Sequence, residues 1–329
     1  MLGDPALRNI TFLKAINEAT REEMLRDPTI FLMGQDISDN VYGSSAGLFA
    51  EFGGERVRDT PISEAAMVGA AAGAAMVGMR PIVDLYIASF VYVAMDQLIS
   101  IVAKSTYLYG GQAKLPMVVR ACMMYGVSNA AQHSDRPYSM FMNVPGLKIV
   151  VPSSPYDVKG LLKTAIRDDD PVLFFEDSTL WGSRGHVPEE DYAIPFGKAD
   201  IKRPGTDVTV VAISGMVTHA LAAAELLAGE NISVEVIDPR TLVPLDKETI
   251  LRSVAKTGRL VVVDAAHKSC SASSEIAALV SEEAFWDLKA PIARVVTPNV
   301  HIPFSPALEP QLFPDKEKIA SAIRQTFSM

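Results

Sequence analysis

The sequence predicts an α/β protein of two doubly wound domains, each built on a mainly parallel sheet. Short apolar runs of strand length alternate with segments whose apolar residues recur at helical spacing. This alternation is typical of a parallel sheet that helices cover on both faces. It stops in a stretch rich in glycine, proline and charged residues and then starts again, which indicates a second domain.

The first predicted domain covers residues 1–185 and begins with a helix at 11–26, whose apolar residues share one face. Ser63 is placed to cap an apolar helix that follows it. The stretch 124–138 has no periodicity, and a long polar loop inside a compact domain is usually functional. The remaining predicted elements are strands at 29–33, 56–58, 81–86, 117–121, 148–151 and 172–176, and helices at 91–105 and 155–166.

Residues 186–205 are predicted to be a linker, and a smaller second domain covers 206–329. Its pattern of alternating elements repeats that of the first domain, which predicts another parallel sheet. The predicted elements are strands at 208–213, 233–237, 260–263 and 293–296, and helices at 216–227, 247–256, 273–284 and 315–327.

Composition excludes several classes of partner. A net charge of −9 disfavours binding to nucleic acid or to anionic lipid, because like charges repel. The longest apolar stretch, 65–79, is shorter than the roughly 20 residues that a bilayer span needs. Its Gly69 and Gly73 favour a helix that another backbone approaches closely. Residues 1–5 lack the basic start and apolar core of a secretory signal, so we expect a cytoplasmic protein.

Two residues stand out as candidates for chemistry. Glu64 begins the apolar helix, and apolar surroundings favour the neutral form of a carboxyl group. A glutamate at a helix N-terminus can also serve only to stabilise the helix dipole. His133 lies in the aperiodic loop, where it is an acid–base group, a hydrogen-bonding group or an ordinary loop histidine. Neither G-x-G-x-x-G nor G-x-x-x-x-G-K-[ST] occurs, which disfavours dinucleotide and P-loop enzymes.

Six ordered stretches carry a resemblance to a known family. Over essentially its full length the chain resembles the E1 β subunits of 2-oxo-acid dehydrogenase complexes and, more distantly, the last two domains of transketolase. These would be a thiamine pyrimidine-binding domain and a transketolase C-terminal-like domain. The stretches are RDTPISE at 58–64, GMRPI at 78–82, AAQHS at 130–134, VPGLK at 144–148, VIDPRTL at 236–242 and IPFSPALE at 302–309.

The resemblance implies thiamine diphosphate as the cofactor. Glu64 matches the family's glutamate that hydrogen-bonds N1′ of the aminopyrimidine. Phe90 matches the aromatic residue that packs on this ring, with Ile62 and Tyr86 beside it. His133 matches the active-site histidine, which is expected to bind substrate or to steer acyl transfer to lipoamide.

The resemblance also implies metal ions. A potassium ion is expected near the loop after helix 155–166, since hard cations favour oxygen-rich sites. The family's diphosphate-Mg²⁺ signature, which begins Gly-Asp-Gly, is absent here, so an α subunit is expected to hold the diphosphate and Mg²⁺. The potassium ligands would be Met117, Ala165, Ile166, Asp168 and Asp170.

The implied function is oxidative decarboxylation of a 2-oxo acid, or cleavage of acetoin, within an α2β2 heterotetramer. The acyl group would pass to lipoamide on an E2 acyltransferase. A split transketolase-like transferase and a non-catalytic partner of an α subunit are the alternatives. Gln35, Tyr86 and the loop 134–138 depart from the family pattern, which leaves the substrate open. The stretches 266–270 and 288–292 look more like acetoin-type than pyruvate-type members.

Overall fold

The computed structural model describes residues 8–328, so the predicted absence of a secretory signal concerns residues outside the described range. The chain divides into two compact units. The first contains the residues up to 123 together with 141–196, and the second contains 124–140 together with the residues from 197 onward. The domain limits at 185 and 206 stay predictions.

Strands and helices alternate along the described chain. The strands are β1 Arg8–Thr11, β2 Ile30–Gly34, β3 Val57–Asp59, β4 Arg80–Ile87, β5 Val118–Met123, β6 Lys148–Val150, β7 Val172–Asp177, β8 Arg184–Val187, β9 Asp200–Arg203, β10 Val208–Ala212, β11 Val234–Asp238, β12 Thr241–Val243, β13 Leu260–His267 and β14 Ala293–Thr297. The α-helices are α1 Phe12–Arg26, α2 Leu48–Phe52, α3 Glu64–Met76, α4 Ser105–Leu108, α5 Ala130–His133, α6 Tyr138–Met142, α7 Pro155–Arg167, α8 Met216–Ala228, α9 Lys247–Thr257, α10 Ala272–Glu283, α11 Glu309–Leu312 and α12 Lys316–Gln325.

The sheet of the first unit contains parallel strands in the order β6-β7-β5-β4-β2-β3. Strands β2, β5 and β7 are buried along their whole length, as expected for a parallel sheet covered on both faces. Helices α1 and α7 pack together and contribute Phe12, Ile16 and Leu162 to the core. Thr11 caps α1, since its hydroxyl accepts a hydrogen bond from the amide of Lys14.

The second unit contains a five-stranded sheet in the order β14-β13-β10-β11-β9. All its neighbouring strands are parallel except β9, which is antiparallel to β11. Helices α8 and α12 pack together, and their apolar faces join the core of this unit. Two α/β units with mainly parallel sheets confirm the predicted fold class.

Two local predictions were wrong, and the predicted linker, whose limits stay a prediction, contains a strand that was not predicted. The predicted linker contains strand β9, because charged edge strands such as DIKR carry no apolar run. The predicted helix 91–105 is a 3₁₀ turn at Ala88–Tyr92, a π-helical segment at Gln97–Val102 and α4. The hydroxyl of Ser105 donates to the carbonyl of Ile101, a contact that distorts helices. Ser63 occupies the N-cap position of α3 but makes no side-chain cap hydrogen bond.

Candidate active site

The four residues assigned to the cofactor lie at one edge of the first unit's sheet. Ile62 and Glu64 follow β3, whereas Tyr86 and Phe90 lie at the end of β4 and just beyond it. Strands β3 and β4 both pair with β2 in parallel, so their carboxyl ends meet at the same edge. This is the edge at which open α/β sheets bind ligands.

Glu64 is a largely buried residue at the carboxyl edge of the sheet. The residue is 8% exposed and begins α3, whose next turns are apolar. Among residues 8–328 its carboxylate has no hydrogen-bond or ion-pair partner. Its oxygen atoms are not among the fully buried unsatisfied atoms of the described chain, so the carboxylate is accessible to a ligand. The helix N-terminus favours its charge, but that alone does not explain the burial.

Ile62 lies two residues before this acid and is 70% exposed. A large apolar side chain exposed beside a buried acid is a surface that a flat organic ring can cover. Phe90 is half-buried in the 3₁₀ turn that follows β4. An acid, an aliphatic and an aromatic side chain are the groups that suit a heteroaromatic ring with a nitrogen acceptor.

Tyr86 adopts an unusual backbone conformation at the end of β4. Its φ is +59°, and the β4–β5 register shifts between Asp84 and Ile87. The Asp84 carboxylate accepts a hydrogen bond from the Tyr86 amide at 2.9 Å, which satisfies the irregular backbone. The ring packs edge-to-face against Tyr42, with centroids 4.4 Å apart. Burial raises the pKa of the Tyr86 phenol, so the hydroxyl stays protonated.

A buried ion triad supports this bulge from the interior of the sheet. Arg120 Nε donates to Glu176 at 2.6 Å, and its guanidinium lies 3.4 Å from the Asp84 carboxylate. The two neighbouring carboxylates raise the pKa of Arg120 despite its burial. Burial raises the pKa of Glu176, and Arg120 partly offsets this effect. The triad therefore connects β7, β5 and β4 to the backbone of Tyr86.

A small internal cavity adjoins the triad. The Tyr86 hydroxyl and the Trp181 indole nitrogen are both buried in its lining without a hydrogen-bond partner. Two orphaned polar groups in a polar cavity are the usual setting for an ordered water molecule. The cavity is lined by Leu13, Tyr42, Ser44, Asp84, Tyr86, Arg120, Ala121, Cys122, Glu176 and Trp181.

The sequence reasoning missed all three residues of the triad. In the predicted strands 81–86, 117–121 and 172–176 the only charged residues are Asp84, Arg120 and Glu176. Strands of a parallel sheet are buried on both faces, and charged residues are rarely buried unless they are paired. One charged residue in each of three predicted buried strands was therefore the signal that a charge network was present.

His133 belongs to the second unit, whereas Glu64 and the other three residues assigned to the cofactor belong to the first. It is half-buried and ends the short helix α5. Most of the surrounding segment, 124–140, is irregular, in agreement with the predicted loop. The stretch that departs from the family pattern, 134–138, contains three buried residues in a row, Arg136, Pro137 and Tyr138.

The residues assigned to potassium lie at the opposite edge of the first unit's sheet, around the starts of β5 and β7. Lys148 Nζ lies 2.7 Å from both carboxylate oxygens of Asp168 and 3.0 Å from Asp170. The carbonyls of Ile166 and Asp168 accept hydrogen bonds from Arg80. Potassium would therefore have to share these oxygen atoms with two cations of the chain.

The carbonyls of Met117 and Ala165 are also engaged, by the amides of Val172 and Asp168. Each carbonyl has a second lone pair, so this does not prevent coordination of a cation. The site stays a prediction. Among residues 8–328, no three histidine, cysteine, aspartate or glutamate side chains are grouped to hold a metal ion.

One region of the first unit exposes many large apolar side chains. Helix α3 packs against the π-helical segment, which in turn contacts α4. A Cβ atom at Gly73 would have no neighbour within 4 Å, so nothing in the described chain approaches it closely. The exposed side chains of these elements are Val77, Ile101, Tyr107 and Leu108. An apolar surface of this kind usually marks a protein interface.

Within the described range no helix is long and apolar enough to cross a membrane.

Two α/β units with mainly parallel sheets, the first with a largely buried glutamate at its carboxyl edge, are the arrangement of a transketolase-like protein. Residues 8–182 match the family described as "Transketolase, pyrimidine binding domain", and residues 197–319 match "Transketolase, C-terminal domain". Among solved structures, a chain described as "Split gene transketolase, inactive beta4 tetramer" aligns with a TM-score of 0.81 and 24% identity. The match covers 97% of this chain and 98% of that one.

Curated relatives identify the branch of this family. The chain is 48% identical to the β subunit of acetoin:2,6-dichlorophenolindophenol oxidoreductase from Cupriavidus necator, over 97% of this chain and 98% of that one. It is 45% identical to the 2-oxoisovalerate dehydrogenase β subunit of Bacillus subtilis, over 96% and 98%. It is 43% identical to the pyruvate dehydrogenase E1 β subunit of Rickettsia felis, over 96% and 98%. The chain therefore belongs to the thiamine-diphosphate-dependent E1 β subunits of 2-oxo-acid and acetoin dehydrogenases, which are oxidoreductases.

Proposed function

We propose that this β subunit binds the aminopyrimidine of thiamine diphosphate through Glu64 and serves an E1 enzyme that cleaves acetoin or a 2-oxo acid. The observation that carries the proposal is the position of Glu64 at the carboxyl edge of the sheet, where it is 8% exposed and its carboxylate makes no hydrogen bond or ion pair within residues 8–328. Acetoin is favoured as substrate, because the acetoin relative from Cupriavidus necator is 48% identical and the Rickettsia felis pyruvate relative is 43% identical.

Thiamine diphosphate supplies a carbon nucleophile that accepts the electrons released when the bond next to the substrate carbonyl breaks. The part of this chain is to hold a proton at the ring nitrogen N1′. Glu64 can do this because its carboxyl group makes no hydrogen bond or ion pair within residues 8–328 and is therefore available to the ring nitrogen. A glutamine at the same position could donate a hydrogen bond but could not exchange a proton.

The apolar side chains at the same edge orient the ring and exclude water from it. Phe90 supplies a flat aromatic face, and Ile62 supplies an exposed aliphatic one. Tyr86 is held in position by its bond to Asp84, so the wall next to the ring is rigid. Exclusion of water strengthens the hydrogen bond between the acid and the ring.

The binding site requires a second subunit. This chain lacks the diphosphate-Mg²⁺ signature, so we assign the diphosphate and Mg²⁺ to an α subunit of an α2β2 assembly. The apolar surface of α3, the π-helical segment and α4 supports such an interface, since it is exposed in the chain alone. Transfer of the acyl group to the lipoamide of an E2 partner, a potassium ion at Asp168 and Asp170, and a cytoplasmic location belong to the same proposal. His133 is proposed to contact the substrate or the lipoyl group.

The test is the substitution Glu64→Gln in the chain co-purified with its α subunit. We expect the activity to fall by at least about 100-fold, a loss in the range of general acid–base contributions. Glu51→Gln is the matched control, because Glu51 pairs with Arg21 on the surface. The rates of dye reduction with acetoin, pyruvate and branched 2-oxo acids, compared with one another, identify the substrate. A Glu64→Gln enzyme with full activity would mean that the chain is a non-catalytic partner.

Transfer of a sugar fragment is the competing reaction of the same cofactor. Capture of an acyl group on an isolated lipoyl domain would support the dehydrogenase, whereas transfer only between sugar phosphates would support a split transketolase.

A further inference from the structure

The segment 124–140, which carries His133, is tied to the second unit at both of its ends. At the C-terminal end the Tyr138 hydroxyl donates a hydrogen bond to the buried Asp264 carboxylate. At the N-terminal end the turn 126–128 is bound by Glu309, a residue that is 181 positions away from Ser128. His133 lies between these two attachments.

Glu309 binds the turn through both of its carboxylate oxygens. Oε1 accepts a hydrogen bond from the Gly126 amide at 2.9 Å, and Oε2 accepts one from the Ser128 amide at 2.8 Å. The Ser128 hydroxyl lies 3.3 Å from Oε2. Glu309 is only 3% exposed, so these bonds are shielded from water. Hydrogen bonds to a charged acceptor are stronger than those between neutral groups.

The turn needs such a partner because its backbone is unfavourable. The φ values are +101° at Gly126, +61° at Ser128 and +60° at Ala130. A positive φ is unfavourable for residues with a Cβ atom, such as Ser128 and Ala130. Two convergent amides pointing at one carboxylate stabilise this conformation, which is directly followed by the helix that ends at His133.

We propose that Glu309 is a positioning residue for His133, acting through the turn 126–128. The proposal rests on the role that is proposed above for His133. It accounts for a buried carboxylate whose bonds go to the backbone of a distant segment rather than to a basic side chain. Glu309 itself touches no reacting group.

The test compares Glu309→Gln with wild type in the assembled α/β enzyme. Glutamine has nearly the same shape, but its amide nitrogen cannot accept a backbone hydrogen bond. We expect the Gly126 and Ser128 amides to exchange with deuterium about 10- to 100-fold faster, which is the loss expected for one bond to a charged acceptor. The kcat with acetoin and lipoamide should fall by a similar factor, and the apparent affinity for thiamine diphosphate should not change.

Two control variants separate this effect from general damage. Glu230→Gln removes a carboxylate of the same unit that pairs with Arg324 on the surface, and it should alter neither exchange nor kcat. Ser128→Ala removes the weaker hydroxyl contact and keeps both amide bonds, so it should stay close to wild type. If Glu309→Gln does not fold, Glu309→Asp, which shortens the reach by one methylene, serves instead.

The result for His133→Ala distinguishes failure of this inference from failure of the proposed function. If His133→Ala keeps full activity, the role of His133 is wrong whatever Glu309 does. If His133→Ala loses activity but Glu309→Gln leaves kcat unchanged, the inference about Glu309 is overturned. Fast exchange of 126–128 together with a normal kcat would overturn it as well.

Discussion

Arg120 lies in β5, inside the sheet whose carboxyl edge carries the candidate site, and it pairs with acids on two other strands. Its guanidinium reaches Glu176 on β7 and Asp84 on β4 at the same time. The Asp84 carboxylate in turn accepts a hydrogen bond from the Tyr86 amide. The position of Tyr86 therefore depends on Arg120 through Asp84. Removal of Arg120 would leave two buried carboxylates without a counter-charge.

We predict that Arg120→Met destabilises the chain by about 3–5 kcal/mol, the usual effect of breaking a buried ion pair. Arg324→Met is the matched control, since Arg324 and Glu230 form a pair of similar length in which both side chains are more than 40% exposed. This control should leave the free energy of unfolding close to that of wild type, because exposed ion pairs contribute little. Urea unfolding of the purified chain measures the free energy of unfolding of both variants. Equal losses for the two variants would contradict the assigned role of the triad.

At the scale of elements, the turn that leads into β6 depends on a close backbone approach. Gly146 has a φ of +98°, and a Cβ atom at this position would lie 2.1 Å from the carbonyl oxygen of Ala103. Ala103 directly follows the π-helical segment. The irregular segment and the VPGLK turn are therefore packed backbone to backbone, which only glycine permits.

Gly146→Ala should lower the free energy of unfolding by more than about 2 kcal/mol, because both its φ and its contact with Ala103 are incompatible with a side chain. Gly73→Ala in α3 is the opposite case, since the new methyl group would have no neighbour within 4 Å and alanine favours a helix by about 0.5–1 kcal/mol. Thermal unfolding of the isolated chain should therefore shift in opposite directions for the two variants. A stabilised Gly146→Ala chain would show that the turn can move away.

At the scale of the whole molecule, the chain exposes apolar surface that a stable monomer would not need. Tyr107 is 89% exposed, and it neighbours further exposed apolar side chains of α4. Aromatic residues such as tyrosine are enriched in the buried, well-packed centre of protein interfaces. Because the chain belongs to a family of β subunits, a partner subunit is expected to cover this surface.

We predict that Tyr107→Asp weakens assembly with the α subunit by about tenfold or more, as for a typical aromatic residue at an interface. Leu25→Asp is the control, because Leu25 is also exposed but lies on α1, outside the α3–α4 region. Sedimentation velocity of the co-expressed subunits measures the assembled fraction. Normal assembly of Tyr107→Asp would place the interface elsewhere on the chain.

The sequence predicted most buried strands and long helices to within a few residues, and α7 is an example. Its apolar spacing, its Ser154 cap and its N-terminal Pro155 are local signals that need no distant partner. The edge strands β1, β8 and β9 were not predicted, because short charged edge strands carry no such signal. The π-helical segment was not predicted either, because its apolar spacing resembles that of an α-helix.

In the candidate site, too, some residues were predicted from the sequence and others were not. Glu64 was identified from its apolar helix and the RDTPISE stretch, both of which are properties of neighbouring residues. The triad and the Glu309 contact were not identified, because their partners are 56 and 183 residues apart in the chain. Local periodicity thus determined which elements form, and the family resemblance of the RDTPISE stretch singled out Glu64 as the predicted cofactor contact. Only the tertiary structure decided which distant charges become neighbours, because pairing of buried groups depends on how the strands and loops are brought together.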